Sequence, residues 1–370
     1  MASRIEATPT QGSRRRSRSI WFHLHFWIAW IAAVPIALLC LTGAILAFEQ
    51  EIFQWEHSEL YELKVSDHRL TVGEVIETYQ AADPPLRVNH LSIPQSPEHV
   101  YGAYTSGGRV FVNPYNGELS RLDDGFSISH LLIDVHRRLA AGPVGRQIAA
   151  ISSLVLSISC VVGLVLWWPL RGRTFLRAWR RGWALDWHNA LGLVALAPLI
   201  VMAVTGMDFT WGRHVWPILE GDTPSRPPRP TAIAPEGAEK LPIDVVVDSA
   251  LSLMPDTKWT GFQPSNGRVA AQAFFFSDGS NHTQLFFDPY TGKELARHDG
   301  RIIPSGAVSW IRSKFAGLHT LQPFGQLAET LWGLLSLGGT VLVATGVWIS
   351  VKRWRRPKRA SAADRDQPRT

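Results

Sequence analysis

Apolar positions gather into four runs along this chain, and basic residues crowd against one end of each. Segments 20–48, 148–170, 188–212 and 326–351 are predominantly apolar. Each offers about 20 residues or more, enough helix to cross a hydrocarbon layer of roughly 30 Å. The second has no charged residue from Ile148 to Leu170. The two long connections follow another rhythm. Each opens with a helical period, TVGEVIETYQAAD and IDVVVDSALSLM, and continues as short runs separated by turn residues. In the first these are LRVNHLSI, HVYGAYT, RVFVNP and ELSRL; in the second KWTGF, VAAQAFFF, TQLFFDP and KELARH. A helix followed by short antiparallel strands predicts one α+β module over 49–125 and another over 238–300. The expected fold is a membrane protein of four transmembrane α-helices with two α+β modules outside the bilayer. A Pro/Arg-rich linker, 213–237, leads into the second module.

The halves echo one another. Proline follows His25 by ten residues and a Thr-Gly pair closes the run at Thr42-Gly43; the same intervals lead from His188 to Pro198 and Thr205-Gly206. His136 and His319 each precede a glycine, Gly163 and Gly346, by 27 residues. A third echo pairs VFVNPYNGELSRLDDG with LFFDPYTGKELARHDG. A duplicated unit predicts a pseudo-twofold axis along the membrane normal.

Charge sets the orientation. The formal net charge of +6 comes largely from three basic segments: 1–19, with Arg4, Arg14, Arg15, Arg16 and Arg18; 171–187, with Arg171, Arg173, Arg177, Arg180 and Arg181; and the tail 352–370. With four spans these lie on one side, which is the cytoplasmic one. The expected location is the bacterial inner membrane, termini inside and modules in the periplasm. Each Arg run abuts a span, so the expected partner is the lipid bilayer and not nucleic acid. The start resembles a signal peptide, but its apolar run is too long for a cleaved leader, so an uncleaved anchor is expected. Cys40 and Cys160 lie mid-span, which leaves no disulfide framework and no C-x-x-C-H site for covalent haem attachment. Most of the 16 tryptophans, Trp21, Trp27, Trp30, Trp167, Trp168 and Trp211 among them, fit an interfacial aromatic belt.

The duplicated histidines are the candidate chemistry. His25 and His188 open spans one and three at the cytoplasmic face. Eighteen residues separate each from Gly43 or Gly206, five helical turns or about 27 Å, so histidine and glycine are expected on one helix face with the glycine leaving room for a large flat group. His136 and His319 belong to interfacial segments 126–147 and 301–325, near the outer face, with Pro143 and Pro323 marking bends into spans two and four. Paired imidazoles are ready metal ligands, but spacing alone leaves haem, another metal and a proton relay open. Arg137, Arg138 and Arg146 are candidates to pair with carboxylates of a group held there. His23 points about 200° from His25 on a helix and has no counterpart, since Asp186 stands in the second copy. His57 and His214 follow spans one and three without obeying the repeat. His68, His90, His99, His130, His282 and His298 are expected on the solvated surface.

Modules ending in Asn/Asp-Pro-Tyr-x-Gly, set between spans that open with His and close with Thr-Gly, resemble the PepSY-associated transmembrane family. The likeness covers about Arg18 to Arg356. It implies an iron-regulated inner-membrane protein whose helices bind two b-type haems, one between His25 and His188 on the cytoplasmic side and one between His136 and His319 on the periplasmic side. It further implies a ferric-siderophore reductase that moves electrons across the membrane, reduces Fe(III) chelates and releases Fe(II). No G-x-G-x-x-G fingerprint follows a strand, so a separate donor is expected, a quinol or a cytoplasmic reductase. Two alternatives stand beside this: a haem-bearing subunit serving a partner protein, and a haem-free PepSY protein that binds peptide or regulates a protease.

Overall fold

Proline shapes the first apolar run. The computed structural model describes residues 11–121, 127–181, 183–220, 230–232, 236–265, 272–277, 282–298 and 307–355. Helix α1 (Gln11–Ile31) ends one residue before α2 (Ala33–Leu46) begins, and the two are bent by 67°. Pro35 has no N–H to give and its ring collides with the carbonyl four residues back, that of Ile31. The expected straight span over 20–48 is therefore two helices. The equivalent Pro198 leaves α8 unbroken. Val34 is β-branched where Ala197 is not, and a β-branched residue before proline crowds the helical conformation further.

Two units make up the chain, 1–49, 129–216 and 314–370 forming one, 50–128 and 217–313 the other. Continuing along the chain are α3 (Glu49–Glu56), α4 (Val72–Gln80) and strands β1 (Val88–Ser92), β2 (Tyr101–Thr105), β3 (Gly108–Val112) and β4 (Leu119–Arg121). Then come α5 (Ile128–Arg138), α6 (Gly142–Trp167), α7 (Thr174–Arg181), α8 (Ala184–Glu220) and α9 (Ile243–Ser252). The last elements are β5 (Lys258–Gln263), β6 (Gln272–Ser277), β7 (His282–Phe287), β8 (Glu294–His298), α10 (Ala307–Thr320) and α11 (Gln326–Trp354).

In the first unit α6, α8 and α11 are each long and apolar enough to cross a bilayer, and the bent α1–α2 pair makes a fourth if counted as one span. At 37 residues α8 runs about 55 Å, well past the span expected at 188–212. On α6 the residues Ile148, Ile151, Leu154, Ile158, Val161 and Val165 are exposed at intervals of three and four, a stripe suited to lipid. The inward faces use small residues. A Cβ on Gly333 would sit 2.9 Å from that of Ala47, and one on Gly339 2.6 Å from Cys40 Sγ, while the Ser336 hydroxyl donates to the Cys40 carbonyl at 2.9 Å. These contacts bring α11 against α2, as small residues do where lipid offers no hydrophobic drive between helices. Gly338 admits Leu191 of α8 on another side of α11.

The second unit is a single eight-stranded sheet, ordered β4-β3-β2-β1-β5-β6-β7-β8, where two separate modules were expected. The copies join edge to edge, β1 antiparallel to β5, with Leu91 opposite Phe262 and Ser92 opposite Gly261. An unpaired central edge would template aggregation, and joining the copies removes two. One core serves both: Val75, Ile76 and Tyr79 of α4 and Val246, Val247 and Ala250 of α9 pack on Leu91, Val110, Phe262, Phe274 and Leu285. The helices are clasped by Asp244, whose carboxylate accepts from the Thr71 hydroxyl at 2.9 Å and the Gly73 N–H at 3.0 Å.

The third echo proves to be a hydrogen-bonded turn built twice. Asn113 and Asp288 accept through their side chains from the N–H of Tyr115 (3.0 Å) and Tyr290 (2.8 Å). The backbone then turns at Gly117 and Gly292, with φ of 73° and 66°, a region glycine enters without penalty. The Pro114 and Pro289 carbonyls each accept, at 2.8 Å, from the N–H of Leu70 or Leu241, which ties the chain entering each helix to the far end of its own half-sheet.

His90 departs from the surface placement expected of it. It is half-buried over Gly261, where a Cβ would lie 2.8 Å from its Cε1, and meets Phe275 edge-on at 5.2 Å. His99 is half-buried beside Tyr61 and His298 packs on Phe286, at 4.9 and 4.8 Å between ring centroids.

Candidate functional site

Each duplicated histidine lies on a glycine of a neighbouring helix, and on the glycine whose spacing marked its own copy. The distance from an imidazole Cε1 to the position a glycine Cβ would take is 3.4 Å for His25 over Gly163 and 3.0 Å for His136 over Gly43. In the second copy it is 3.5 Å for His188 over Gly346 and 3.3 Å for His319 over Gly206. The glycines therefore make room for imidazole rings. His25 and Gly43 do not share one straight helix face as expected, because the bend at Ala32 separates them; His188 and Gly206 do share α8.

One acceptor recurs at all four positions. His25 Nδ1 lies 3.1 Å from the Ser159 carbonyl and His136 Nδ1 3.0 Å from that of Leu39. The Leu342 and Met202 carbonyls act as acceptors toward His188 and His319, whose Nδ1 atoms lie 2.9 Å from the Thr345 and Thr205 hydroxyls. In every case the carbonyl belongs to the residue four before the glycine. A carbonyl only accepts, so Nδ1 carries the proton and the Nε2 lone pair is left for another partner. No described group bonds any of the four Nε2 atoms. This is how a ligating histidine is held, the distal N–H anchored so that the ring is aimed and its tautomer set.

The rings of His136 and His319 meet across the two copies, with centroids 6.1 Å apart and planes inclined at 52°; the repeat assigns His25 and His188 to the other pair. The helices bearing the first pair stop short of α6 and α11. Leu139, Ala140 and Leu321 take left-handed conformations there, with φ of 50°, 52° and 55°; Pro143 opens α6 and Pro323 sits in the short turn before α11. Burial lowers the pKa of His136 and His319, to about 4 for His319, where neighbouring His136 adds to the effect and the Met202 carbonyl opposes it. Both are neutral at physiological pH, the form that ligates. Phe209 meets His319 edge-on at 5.2 Å, and Trp332 donates its indole N–H to the His319 carbonyl at 2.9 Å. Sequence reasoning missed both, together with Ser159 and Thr345. The dipeptide Thr345-Gly346 repeats the Thr-Gly of the other helices and was the available signal.

The remaining candidates lie elsewhere. Arg137 and Arg138 are exposed, and Arg138 faces Asp134 at 3.5 Å one turn back on its own helix. Arg146 is half-buried and donates to the Phe209 carbonyl. His23 is exposed, its Nδ1 on the Ser19 carbonyl at 2.7 Å. His57 packs at a tilt on Phe53, 4.7 Å between centroids, and lies 3.7 Å from Glu59, and exposed His214 accepts from the Arg213 Nε at 3.0 Å. None of these joins a pair.

A family model described as the PepSY-associated TM region matches residues 22–353, a stretch containing all four histidines, all four glycines and both echoed turns. No curated protein matches the chain at a significant level.

Proposed function

The chain belongs to the family of the PepSY-associated TM region, and from that premise and the four anchored imidazoles we propose that it is a di-haem membrane oxidoreductase. Its proposed work is to carry electrons across the bilayer to ferric siderophores on the periplasmic side and release Fe(II). The observation that carries the reading is the four-fold repetition of one device: imidazole on glycine, Nδ1 on a backbone carbonyl, Nε2 open.

The donor set fits the group. Two imidazoles sharing one metal through bonds of about 2 Å have ring centroids about 6 Å apart, and those of His136 and His319 are 6.1 Å apart. Among the described residues no three His, Cys, Asp or Glu come together. Each pair thus offers two protein ligands, which suits a macrocycle that brings four nitrogens of its own better than it suits zinc, whose sites take three or four from the protein. His25 and His188 would hold the cytoplasmic haem, His136 and His319 the periplasmic one. A haem held by two such imidazoles would supply one-electron transfer in preference to oxygen chemistry. The chain's part is to fix and aim the imidazoles, while the exposed apolar stripe of α6 suits a lipid surround. Reduction frees the metal because hard siderophore oxygens hold Fe(III) far better than Fe(II). The donor would be a quinol or a cytoplasmic reductase.

Purified protein expressed with ample haem should show the Soret and α bands of b-type haem, with two components in a redox titration. Protein reduced anaerobically with dithionite should be reoxidised stoichiometrically by a ferrisiderophore. A colourless protein refutes the reading. A coloured one that stays reduced with the chelate, yet is oxidised by a periplasmic protein, is a carrier and not a reductase.

A further inference from the structure

A hydroxyl accompanies each of the four imidazoles, and in three of them its proton is already committed. Thr42 Oγ1 donates to the Leu38 carbonyl at 2.6 Å, Thr205 to that of Val201 at 2.6 Å and Thr345 to that of Val341 at 2.8 Å. A hydroxyl has one proton to give, so towards the histidine each oxygen can only accept. The imidazole Nδ1 atoms lie 3.1 Å from Thr42 (His136), 2.9 Å from Thr205 (His319) and 2.9 Å from Thr345 (His188). The fourth position has Val162 where the threonine would stand. There Ser159, one turn earlier, sets both its hydroxyl and its carbonyl 3.1 Å from His25 Nδ1.

Threonines in membrane helices commonly bond back to the preceding turn, and that habit alone would explain one or two of these hydroxyls. It does not explain why all four meet a histidine, nor why a serine at another position supplies the contact where the threonine is missing. Every Nδ1–H is thereby faced by two acceptors on separate atoms, one carbonyl and one hydroxyl. A single acceptor would let the ring swing about its Cβ–Cγ bond. Two acceptors, with the glycine beneath Cε1, fix the ring plane. They also draw on the Nδ1 proton and make Nε2 the stronger donor.

We propose that Thr42, Thr205, Thr345 and Ser159 are positioning residues that set the ring plane and donor strength of the four histidines, and through them the potentials of the two haems. This rests on the functional reading above. A stronger donor favours the ferric form, so each hydroxyl holds its haem at a lower potential, and the hydroxyls on the outer pair maintain the 52° inclination of its planes.

The test is Thr205→Val, close in shape but without the acceptor, beside Thr205→Ser, which restores it. In the haem-loaded protein Thr205→Val should raise the midpoint potential of the outer haem and alter its ferric EPR signal, whose anisotropy follows the angle between imidazole planes. Thr205→Ser should return both to the wild-type values. Thr345→Val should do the same at the inner haem alone, so each variant carries an unperturbed haem as its reference. Unchanged potentials and EPR signals in both valine variants, or serine failing to restore them, overturn the proposal. If Thr205→Val does not fold, Thr345→Val and Ser159→Ala decide it at the inner pair. Should wild-type protein bind no haem, it is the functional reading that fails. The hydroxyl contact is then decided by ¹⁵N NMR of histidine-labelled protein: Thr205→Val must move one Nδ1–H resonance, and an unmoved spectrum ends the proposal.

Discussion

Adding one methyl at each of the four glycines should rank the sites by how closely their imidazoles approach. An alanine Cβ at Gly43 would lie 3.0 Å from His136 Cε1 and 3.3 Å from Ser336 Oγ. Carbon atoms rest at about 3.5–4.0 Å, so the ring must retreat by half an ångström or more. Metal sites tolerate about 0.2 Å in ligand distance, which makes that retreat too large to absorb. Disturbing the surroundings of a ligand costs about 10–100-fold in affinity, or about 1.4–2.7 kcal/mol. At Gly346 the same methyl stands 3.5 Å from His188 Cε1, already ordinary contact. There the gain of about 1 kcal/mol from replacing glycine by alanine within a helix should dominate. Gly43→Ala should therefore lose the outer haem in part or whole and keep the inner one, while Gly346→Ala keeps both and melts at the same temperature or higher. Gly206→Ala and Gly163→Ala, at 3.3 and 3.4 Å, should fall between them in that order. The assay is haem per protein by pyridine haemochromogen, with the two haems resolved by redox titration. Equal haem loss in Gly43→Ala and Gly346→Ala, or full retention in both, would refute the assignment of the glycines as seats for the rings.

His136→Ala or His319→Ala should remove the outer haem and spare the inner, with the reverse for His25→Ala or His188→Ala; loss of both haems from any one variant, read in the same titration, contradicts the pairing across copies. Tyr79→Phe removes a fully buried hydroxyl that donates to the Val110 carbonyl at 2.9 Å, and should cost about 1 kcal/mol in denaturant unfolding of the sheet unit. Asp244→Ala breaks the bonds from Thr71 and Gly73 together and should cost about 1–3 kcal/mol by the same measurement. Burial lowers the pKa of His90, so the unfolded chain binds more protons at that site. The stability it contributes is full above about pH 6.5 and falls as pH drops through that value toward the lowered folded pKa. His90→Gln should flatten the melting temperature between neutral and mildly acid pH, and an unchanged slope contradicts the placement of this ring.

Much was legible in the pattern of residues because the physics behind it is local. A run long enough to cross a bilayer is set by length and hydropathy; the helix-then-strands order of each connection by period; the echoed turn by Asn or Asp, Pro and a glycine at a fixed interval. Intervals measured from His25, His188, His136 and His319 marked the four ligand candidates and their glycines, since duplication preserves spacing. What spacing cannot encode is which helix faces which. Only the tertiary packing sets each ring on the glycine of another helix and turns its Nδ1 toward acceptors on distant segments, a carbonyl 134 residues away for His25 and a hydroxyl 157 residues away for His188. The bend at Ala32 depends on how Val34 and Pro35 crowd a backbone that Ala197 and Pro198 do not. The two modules become one sheet because the β1 and β5 edges, each satisfied only by another strand, find one another, a pairing between residues some 170 positions apart that no local pattern records.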